Sequence, residues 1–599
     1  MKDGHVLLAL NNEQSFISSR RRWTRVWNRL SKLQRNILRA TLFVLLLTVV
    51  YICVVTWSDD GQSAAAAGAR LHKYEHLFDR GSDDVPPRFQ RLQPHPEPAP
   101  VEVEAPVVDQ VDIVNDDKSK ENKMNDEIIP PVPTLKTERS FNISSETNKR
   151  QKAVIDAFLH AWNGYKKYAW GHDHLKPISH KPHDWFKLGL SIVDSLDTMY
   201  LMNLKEELAE ARNWVENDMN MNEFNDVNLF EVTIRVLGGL LSAYHLTGDN
   251  LYLIKAKDLG ERLLPCFTKS PSPIPFSDVN LASHNAHSPR WGPDSSTSEV
   301  TTLQLEFRDL SRATNDDKFE KAASRVSMHV HTLPKTEGLV PIFINPRTGL
   351  FPNYADIKLG ARGDSYYEYL VKQWIQTGKT IDYLRNDYIQ AINGINKLLV
   401  RRTPKSNLLF IGELKAGSRE FVPKMDHLVC YLPGTLALGY HHGLPEAHLQ
   451  LAQELLYTCY RTYADRPTFL APEITFFILQ EESKHDMFVK SSDAHNLLRP
   501  EFIESLWYMY QVTGNKTFQD WGWKIFQSFE KYTKVEGGYT SIGNVNDVNE
   551  TRPKDMMESF FLSETLKYLF LLFSDNRRLL DIDKFVVNSE GHPLPIYDS

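Results

Sequence analysis

Five acidic residues recur at the start of apolar, helix-like segments at similar distances along the chain. They are Glu231, Glu299, Asp364, Glu501 and Glu558, and the successive gaps are 68, 65, 137 and 57 residues. The macrodipole of a helix favours a carboxylate at its N-terminus, so capping explains any one of these acids. Capping explains the set less well, because several of them stand inside apolar runs such as NLFEVTI and LLRPEFIESL. A buried carboxylate there needs a partner or a function.

Carboxylates that face one another across a shared opening can support glycoside hydrolysis, binding of a divalent metal ion, or both. Glycoside hydrolysis uses one protonated acid and one carboxylate that acts as base or nucleophile. A site of oxygen donors without cysteine or paired histidine ligands favours calcium over zinc. The sequence contains no HExxH, Walker, GxGxxG or GxSxG motif, which argues against zincin metalloproteases, P-loop enzymes, Rossmann enzymes and standard α/β-hydrolases.

Repeated helical hairpins are the elements that must position these acids. From residue 151 onward, apolar residues recur at spacings of three and four, as in LFEVTIRVLGGLLSAYHL. The gap of 137 residues fits two units, with the segment DHL at 426–428 opening the missing helix, and an earlier unit contains Asp194 and Asp197. About seven such hairpins would close into an all-α toroid with the acids at one mouth. Similar polar turns separate the helices at Thr247-Gly248-Asp249, Thr377-Gly378-Lys379 and Thr513-Gly514-Asn515.

The N-terminal region predicts a membrane anchor. Residues 37–57, ILRATLFVLLLTVVYICVVTW, carry one charge and are long enough to span a bilayer core of about 30 Å. Basic residues crowd residues 1–36, and Asp59 and Asp60 follow the apolar run. The positive-inside rule therefore places residues 1–36 in the cytosol and the rest in the lumen, as a single-pass type II protein. A cleaved signal peptide fits less well, because the basic region is too long and the apolar run exceeds a signal h-region.

A stem and one large domain are predicted to follow the anchor. Residues 58–150 are rich in proline and acidic residues, which predicts a mostly disordered stem, and residues 151–599 form the expected helical domain. Hydrophobic residues make up 42% of the 599-residue chain, which supports a sizeable core. The net charge of −7 argues against a nucleic-acid partner, which would require clustered basic residues.

Cysteines and glycosylation sequons fit a lumenal domain. Cys430 and Cys459 could pair in an oxidising compartment, whereas Cys53 falls inside the predicted anchor. Four cysteines in all make neither a disulfide scaffold nor a CxxC zinc site. Acceptor sequons occur at Asn142, Asn515 and Asn549.

Several segments together resemble the class I α-1,2-mannosidases, glycoside hydrolase family 47. They are FEVTIRVLGGLLSAYHLTGD, SEVTTLQLEFRDLSR, GARGDSYYEYLVKQWI, KMDHLVCYLPGTLALG, HNLLRPEFIESLWYMY, MESFFLSETLKYLFLLFS and VVNSEGHPLPI. The resemblance covers about residues 151 to 595 in the same order throughout. It implies an (α/α)7 barrel, bound Ca²⁺, and hydrolysis of α-1,2-linked mannose with inversion. It also implies that Cys430 and Cys459 form a disulfide, whereas Cys266 has no counterpart and is expected to be a buried free thiol.

The resemblance assigns the catalytic roles to three carboxylates. Glu231 in FEVTIR matches the general acid, Asp364 in GDSYYEY a second catalytic carboxylate, and Glu501 in LRPEFIESL the base that activates water. Inversion requires the acid and the base to be roughly 6.5–9.5 Å apart. The general acid also needs a raised pKa, which burial or a neighbouring carboxylate would provide.

Further positions match residues that hold the mannose or the calcium ion. Arg235 lies one helical turn after Glu231, so both can reach one site. For His427 the alternative is a structural histidine, and for Phe560, which matches an aromatic that stacks on the sugar, it is core packing. The expected substrate-binding set is Arg235, Glu299, Arg362, His427, Arg499, Glu504, Phe560 and Glu564. The expected metal set is Ser589 as a direct ligand, with Glu558 and Glu590 around the calcium-bound waters.

Two positions carry specific expectations. Where the family has a calcium-binding threonine, this chain has Ser589, which offers the same two oxygens without the methyl group that restricts the rotamer. Calcium binding is therefore expected to be retained but weaker. Arg362 matches the arginine of the endoplasmic-reticulum type of the family, whereas the Golgi type carries leucine. This implies removal of one middle-branch mannose from Man9GlcNAc2 to give a Man8GlcNAc2 isomer.

The implied role is N-glycan trimming in glycoprotein maturation, quality control and ER-associated degradation, in the endoplasmic reticulum or early Golgi membrane. The partners would be high-mannose N-glycans on glycoproteins, with quality-control proteins as further partners. The competing hypothesis is a non-catalytic, lectin-like mannose receptor. Loss of a catalytic carboxylate would favour that receptor, but Glu231, Asp364 and Glu501 are all present. A general helical scaffold would not explain the repeated buried acids.

Overall fold

The computed structural model describes residues 147–290 and 292–597. The predicted cytosolic tail (1–36), membrane anchor (37–57), nearly all of the stem (58–150), Cys53 and the sequon at Asn142 lie outside the described residues. Within the described residues, one helical segment is long and apolar enough to cross a membrane, Leu229–Thr247. Because 72% of its apolar window is buried inside the protein, it is a core segment of the helical domain.

Helices dominate the described part of the chain. In chain order the α-helices are α1 (Lys149–Ala169), α2 (Leu190–Asp194), α3 (Leu196–Leu201), α4 (Lys205–Asn217), α5 (Leu229–Val232), α6 (Gly238–Thr247), α7 (Asn250–Leu263), α8 (Pro265–Thr268), α9 (Thr297–Thr301), α10 (Gln304–Thr314), α11 (Lys318–Thr332), α12 (Asp364–Gln376), α13 (Asp382–Leu398), α14 (Leu432–His441), α15 (Glu446–Ala464), α16 (Glu501–Thr513), α17 (Thr517–Tyr532) and α18 (Leu566–Leu572). Two π-helical turns, Thr233–Leu237 and Phe561–Thr565, and a 3₁₀ helix, His427–Tyr431, continue into α6, α18 and α14.

Short antiparallel strands connect the helices. In chain order they are β1 (His174–Lys176), β2 (Lys181–His183), β3 (Asp226–Asn228), β4 (Asp278–Asn280), β5 (Asn285–His287), β6 (Ser295–Ser296), β7 (Phe343–Ile344), β8 (Val400–Arg402), β9 (Leu409–Ile411), β10 (Glu413–Leu414), β11 (Phe421–Val422), β12 (Lys424–Asp426), β13 (Ile474–Phe477), β14 (Met487–Phe488), β15 (Lys534–Val535), β16 (Gly538–Tyr539), β17 (Phe585–Val587) and β18 (Pro593–Pro595). They pair as β1-β2, β3-β4-β5, β6-β7, β8-β9, β10-β11, β12-β13-β14, β15-β16 and β17-β18.

Seven inner helical segments of the described chain form a closed ring. Following the chain, α6 packs on α3, α10 on α6, α12 on α10, α14 on α12, α16 on α14 and α18 on α16, and the π-helical start of the last segment returns to α3. Outer helices α4, α7, α11, α13, α15 and α17 each follow and pack on an inner partner, and α1 packs on α18. The predicted toroid of helical hairpins is therefore confirmed as an α/α barrel.

The predicted polar turns end one helix and begin the next. At the first of them Gly248 adopts a left-handed φ of 73° at the C-terminus of α6, a conformation that glycine accepts without strain. Asp249 then caps α7, because its side chain accepts a hydrogen bond from the amide of Leu251 at 3.0 Å. Gly514 ends α16 in the same way, with a φ of 69°. These local signals explain why the hairpins break where the sequence indicated.

A C-terminal hairpin fills the interior of the barrel. Strands β17 and β18 pack against α6, α10 and α12 and are fully buried. The turn between them, residues 588–592, is shaped by Asn588, whose side-chain oxygen accepts from the amides of Glu590 at 2.9 Å and His592 at 2.8 Å. Gly238 permits this close packing, since a Cβ atom there would lie 2.6 Å from Nδ2 of Asn588. The hairpin thereby carries Ser589 and Glu590 into the barrel.

The cysteines follow the expected pattern. Cys430 and Cys459 form a disulfide that joins the 3₁₀ helix before α14 to α15. Cys266 is a buried free thiol, as expected, and burial raises its pKa.

Candidate active site

The inner helical segments begin around one cavity of ≈ 280 Å³, and residues at or near their N-termini line it. Eight carboxylates and three arginines contribute to this lining. Because helix N-termini carry partial positive charge, their convergence helps to accommodate so many acids. The charged lining residues are Glu231, Arg235, Glu299, Arg362, Asp364, Glu368, Arg499, Glu501, Glu504, Glu564 and Glu590, and Phe560, Ser589 and Tyr431 line it as well.

Glu231 and Arg235 meet on one helical face, as their spacing predicted. Asn228 caps α5 by accepting a hydrogen bond from the amide of Glu231 at 3.0 Å. Arg235, in the following π-helical turn, donates from Nε to Oε2 of Glu231 at 3.0 Å and from Nη1 to Oε1 of Glu590. A second π-helical turn holds Glu564. Such turns are frequent at functional sites, where they alter which side chains share a face.

Glu299 lies beside the Glu231 helix and contacts the asparagine that caps it. Nδ2 of Asn228 donates to Oε2 of Glu299 at 3.2 Å. Burial raises the pKa of Glu299 to about 6. One asparagine therefore positions two of the predicted acids.

Asp364 occupies the first position of α12. Its Oδ1 accepts a hydrogen bond from the amide of Ser365 at 2.9 Å. Burial raises the pKa of Asp364 to about 7, and the carboxylates of Glu368 and Glu501 add to this shift. A carboxyl with such a pKa can hold a proton near neutral pH, which is the property required of a general acid.

The carboxylate of Glu501 is hydrogen-bonded to a buried histidine. Nδ1 of His427 donates to Oε2 of Glu501 at 2.7 Å, and Nε2 of the same ring accepts from the hydroxyl of Tyr463 at 2.7 Å. Nη1 of Arg499 lies 3.6 Å from Oε1 of Glu501. His427 is buried and does not line the cavity. The structure therefore places it as a positioning residue for Glu501 and not as a residue that contacts substrate.

Phe560 lies in the cavity wall between two arginines. The guanidinium carbons of Arg235 and Arg499 are 5.9 Å and 6.0 Å from its ring centroid. Arg499 is itself fixed by Glu473, since Nε donates to Oε1 at 2.9 Å and Nη2 donates to the same carboxylate at 2.6 Å. Phe560 is not part of the buried core, and it lines the cavity. Aromatic faces of this kind suit the apolar side of a sugar.

Arg362 reaches the cavity from the segment that precedes α12. Its backbone adopts a left-handed φ of 75°, which is uncommon for a residue with a side chain. Its guanidinium carbon lies 5.2 Å from the ring centroid of Phe343. An aromatic face thus positions the arginine at the cavity wall.

An acidic cluster surrounds Ser589 at the floor of the cavity, and we define it as Glu368, Glu504, Glu564 and Glu590. The hydroxyl of Ser589 donates to Oε2 of Glu368 at 3.0 Å. Burial raises the pKa of Glu504 to about 8 and also raises the pKa values of Glu564 and Glu590, with Glu590 and Glu504 adding to the shift at Glu564. In the absence of a cation these carboxylates repel one another.

Lys372 compensates only part of the negative charge of the acidic cluster. Lys372 Nζ donates to Oε1 of Glu368 at 2.5 Å and lies 3.5 Å from Oε1 of Glu504. Ser589 and the acidic cluster offer oxygen donors alone, which suits a hard cation such as Ca²⁺. Among the described residues, no three members of the acidic cluster have their ligand atoms within 4.8 Å of one another. The carboxylates of the acidic cluster therefore do not converge on one point in this structure.

The structure departs from the sequence-based expectations at one predicted metal residue. Glu558 does not line the cavity, and its Oε2 lies 3.7 Å from Nδ1 of His174. It precedes the π-helical turn that holds Glu564, and its charge acts on Arg499 in the cavity wall. The other predicted site residues, apart from His427, line the cavity.

Sequence reasoning missed several residues of the site. Glu368 and Lys372 follow Asp364 at intervals of four on α12, a spacing that could have identified them. Tyr431 donates its hydroxyl hydrogen to the backbone oxygen of Asp364 at 2.9 Å, and Glu473 binds Arg499. Neither has a signal in the sequence, because both reach the site from loops and helices distant in the chain.

Comparisons with known proteins agree with this site. The model of glycosyl hydrolase family 47 matches residues 157–596. The endoplasmic reticulum mannosyl-oligosaccharide 1,2-alpha-mannosidase of Homo sapiens is 55% identical over 472 residues, covering 78% of this chain and 67% of that protein. The protein of the same name from Rattus norvegicus is also 55% identical, over 78% and 71% of the two chains. The solved structure of an alpha-1,2-mannosidase from Trichoderma reesei is 26% identical, with a TM-score of 0.71 over 76% of this chain and all of that one.

Proposed function

This chain belongs to glycosyl hydrolase family 47 and is a glycoside hydrolase, and from that premise we propose that it is an α-1,2-mannosidase of the endoplasmic reticulum that trims high-mannose N-linked glycans. The observation that carries the proposal is the meeting of Glu231, Asp364 and Glu501 in one cavity. Three carboxylates around a pocket with an exposed aromatic face and several arginines provide what glycoside hydrolysis requires.

We assign the role of base to Glu501. His427 and Arg499 both contact its carboxylate, so its orientation is set on two sides while one edge faces the cavity. A carboxylate held in this way can accept a proton from an attacking water on one face of the sugar. Inversion follows if the proton donor stands on the other face, with roughly 6.5–9.5 Å between the two carboxyl groups.

Two carboxyls are candidates for the proton donor. The family resemblance gives this role to Glu231, which pairs with Arg235. Asp364 has the raised pKa of about 7 that proton donation at neutral pH requires. Rate–pH profiles of Glu231→Gln and Asp364→Asn separate the two. The variant that removes the donor loses the alkaline limb of the profile, and the other variant keeps it.

We further propose that the acidic cluster and Ser589 hold a calcium ion. The donor set is all oxygen, and burial together with neighbouring carboxylates raises the pKa values of Glu504, Glu564 and Glu590, so that a bound cation would stabilise their charged forms. Ser589 would contribute its hydroxyl and carbonyl oxygens, with Glu590 and its neighbours placed around the ion's waters. Bound calcium would supply ligand positions for sugar hydroxyls. Phe560, Arg235 and Arg499 would hold the sugar from the side.

We propose that Arg362 selects the cleaved branch. Its guanidinium lines the cavity beside Phe343 and offers several donors to hydroxyls of neighbouring sugars. The expected product is one Man8GlcNAc2 isomer from Man9GlcNAc2, by removal of the middle-branch mannose, within glycoprotein quality control and ER-associated degradation. A type II membrane anchor at residues 37–57 would place the domain in the lumen.

The test is incubation of the protein with Man9GlcNAc2, with and without a calcium chelator. Loss of a single hexose only in the presence of calcium supports the enzyme. Binding of the glycan without any loss of hexose would instead favour the lectin-like receptor. Arg362→Leu should give a broader set of trimmed products at a similar total rate. An unchanged product profile would refute the role of Arg362 without affecting the assignment of the catalytic carboxylates.

A further inference from the structure

His441, His442 and Asp583 form a second group of potential metal ligands away from the cavity. One ligand atom of each residue lies within 4.8 Å of the others. His441 ends α14, His442 follows it, and Asp583 lies two residues before β17. The 3₁₀ helix that precedes α14 begins beside the cavity with His427, which contacts Glu501. The C-terminus of α14 therefore lies about 15 Å further along the barrel, at 1.5 Å per residue.

The ring of His442 has the arrangement expected of a metal ligand. Its Nε2 is shielded from solvent and has no hydrogen-bond partner among the described residues. The ring also hydrogen-bonds to the backbone of Ile582, the residue before Asp583. In metal sites, a hydrogen bond from the other ring nitrogen commonly fixes the orientation of a ligating histidine.

The other two ligands can adjust to an ion. Nε2 of His441 and Oδ1 of Asp583 are 2.7 Å apart, with side chains 30% and 62% exposed. Ligands of a tetrahedral zinc ion at about 2.0–2.1 Å from the metal are about 3.3 Å from one another, so this pair must open by roughly 0.6 Å. Two positively charged side chains would repel a bound metal ion. They are Lys379, which acts on His442, and Arg578, which acts on Asp583. Lys379 lies over the ring of Trp374, 5.6 Å from its centroid.

We propose that His441, His442 and Asp583 bind a zinc ion that joins the C-terminal end of α14 to the start of the C-terminal hairpin. Two imidazoles and one carboxylate suit zinc, with water in the fourth position, and do not suit calcium. Asp583 precedes Ser589 by six residues. The zinc ion would therefore fix the chain at the point from which the hairpin carries Ser589 to the floor of the cavity. This inference does not depend on the calcium site or on the reaction.

The test is zinc titration of the full-length protein kept in excess calcium, read by competition with a chromogenic zinc chelator. We expect one site per chain that excess calcium does not displace. His441→Ala and Asp583→Ala should each weaken it by at least about tenfold. His485→Ala, which removes an exposed histidine elsewhere on the domain, should leave it intact. With Co²⁺ in place of zinc, the protein should show the visible absorption of a four-coordinate ion, which Asp583→Ala should lose.

Either of two results would overturn the proposal. One is the absence of zinc binding at micromolar concentrations. The other is a zinc affinity that His441→Ala and Asp583→Ala leave unchanged, since the ion would then bind elsewhere in the chain. Both substituted side chains are partly exposed, so the variants should fold. A thermal unfolding midpoint within a few degrees of the parent in calcium alone confirms that they do.

Discussion

Two buried groups of charged side chains lie next to the turn at residues 588–592, and they are balanced in different ways. One is the acidic cluster around Ser589. The other, which we call the matched cluster, consists of Asp194, Asp197, Lys567 and His592, and all four side chains are at most 1% exposed. The same turn contributes to both clusters: it carries Ser589 and Glu590 at the acidic cluster and His592 in the matched cluster. The comparison separates buried charges that are paired within the protein from buried carboxylates whose charge is only partly compensated.

The matched cluster is satisfied within the protein. His592 contacts Asp194 at 3.0 Å and Asp197 at 2.8 Å, and Lys567 contacts Asp197 at 2.8 Å. Burial alone would raise the pKa of Asp197, but Lys567 and His592 lower it to about 2. Asp197 also raises the pKa of His592 against the effect of burial. Each charge of the matched cluster therefore has a partner of opposite sign within the protein.

The acidic cluster is not satisfied in this way. Lys372 contacts Glu368 and Glu504, and Arg235 contacts Glu590, but the pKa values of Glu504, Glu564 and Glu590 remain raised. A second difference is access, because the acidic cluster faces the cavity and the matched cluster does not. An excess of negative charge next to an opening is what a cation site requires. The predictions below test this difference.

The largest expected effect is on catalysis without an effect on folding. Glu501→Gln keeps the shape of the side chain but removes the carboxylate that we assign as base. We expect a loss in kcat of about 10²–10⁴-fold, as is usual for loss of a general base. The thermal unfolding midpoint should change little, because loss of the ion pairs with His427 and Arg499 is offset by relief of repulsion between carboxylates, and the glutamine oxygen can still accept a hydrogen bond from His427. Glu481→Gln, at an exposed position, serves as the control. Activity within a few-fold of the parent would remove Glu501 from the mechanism.

The next largest effect is on stability. Lys567→Met leaves Asp197 buried without its lysine, and breaking a buried ion pair costs about 3–5 kcal/mol. Chemical denaturation measures the loss. Lys516→Met is the matched control, since Lys516 is 73% exposed and its partner Asp575 is 70% exposed, and it should change stability little. Equal losses in the two variants would mean that the matched cluster does not contribute to stability in the way proposed.

The contributions of the two clusters to folding stability should change with pH in opposite directions. Glu504 has a folded pKa of about 8, above that of an unfolded glutamate, so the folded state binds more protons across this interval. Without calcium, its contribution to stability is present at low pH and is lost as the pH rises from about 4.5 to 8, by at most about 1.4 kcal/mol per pH unit. Asp197, with a folded pKa of about 2, contributes stability above pH 4 that is lost as the pH falls toward 2.

Thermal unfolding of the decalcified and calcium-saturated protein between pH 5 and 8 measures the first of these effects. Calcium should raise the unfolding temperature more at pH 8 than at pH 5, because the bound ion removes the cost of ionised Glu504. Groups elsewhere in the protein titrate equally in both samples, so their effect cancels in the difference between the two unfolding temperatures. A calcium-induced shift that is constant over this range would show that the acidic cluster does not bind the ion.

The contrast between the clusters also shows what sequence reasoning could reach. The acids at inner-helix N-termini were identified because each stands next to an apolar periodic segment, and the Thr-Gly turns marked the hairpins. His592 and Asp197 pair over 395 residues, and Arg499 and Glu473 pair from a helix end and a loop. Periodicity carries no information about such contacts, which depend on how the ring closes.

The smallest expected effect concerns Ser589 itself. Ser589→Thr keeps the hydroxyl that donates to Glu368 and adds the methyl group that limits χ1. Restricting one rotor is worth on the order of 0.5–1 kcal/mol, so calcium should bind about two- to fivefold more tightly. Ser589→Ala, which removes the hydroxyl, should weaken binding by more than that amount. Calcium titration in the presence of a competing chelator measures both. If the threonine variant binds calcium more weakly than the parent, the methyl group must clash in the turn held by Asn588, and the rotamer argument fails.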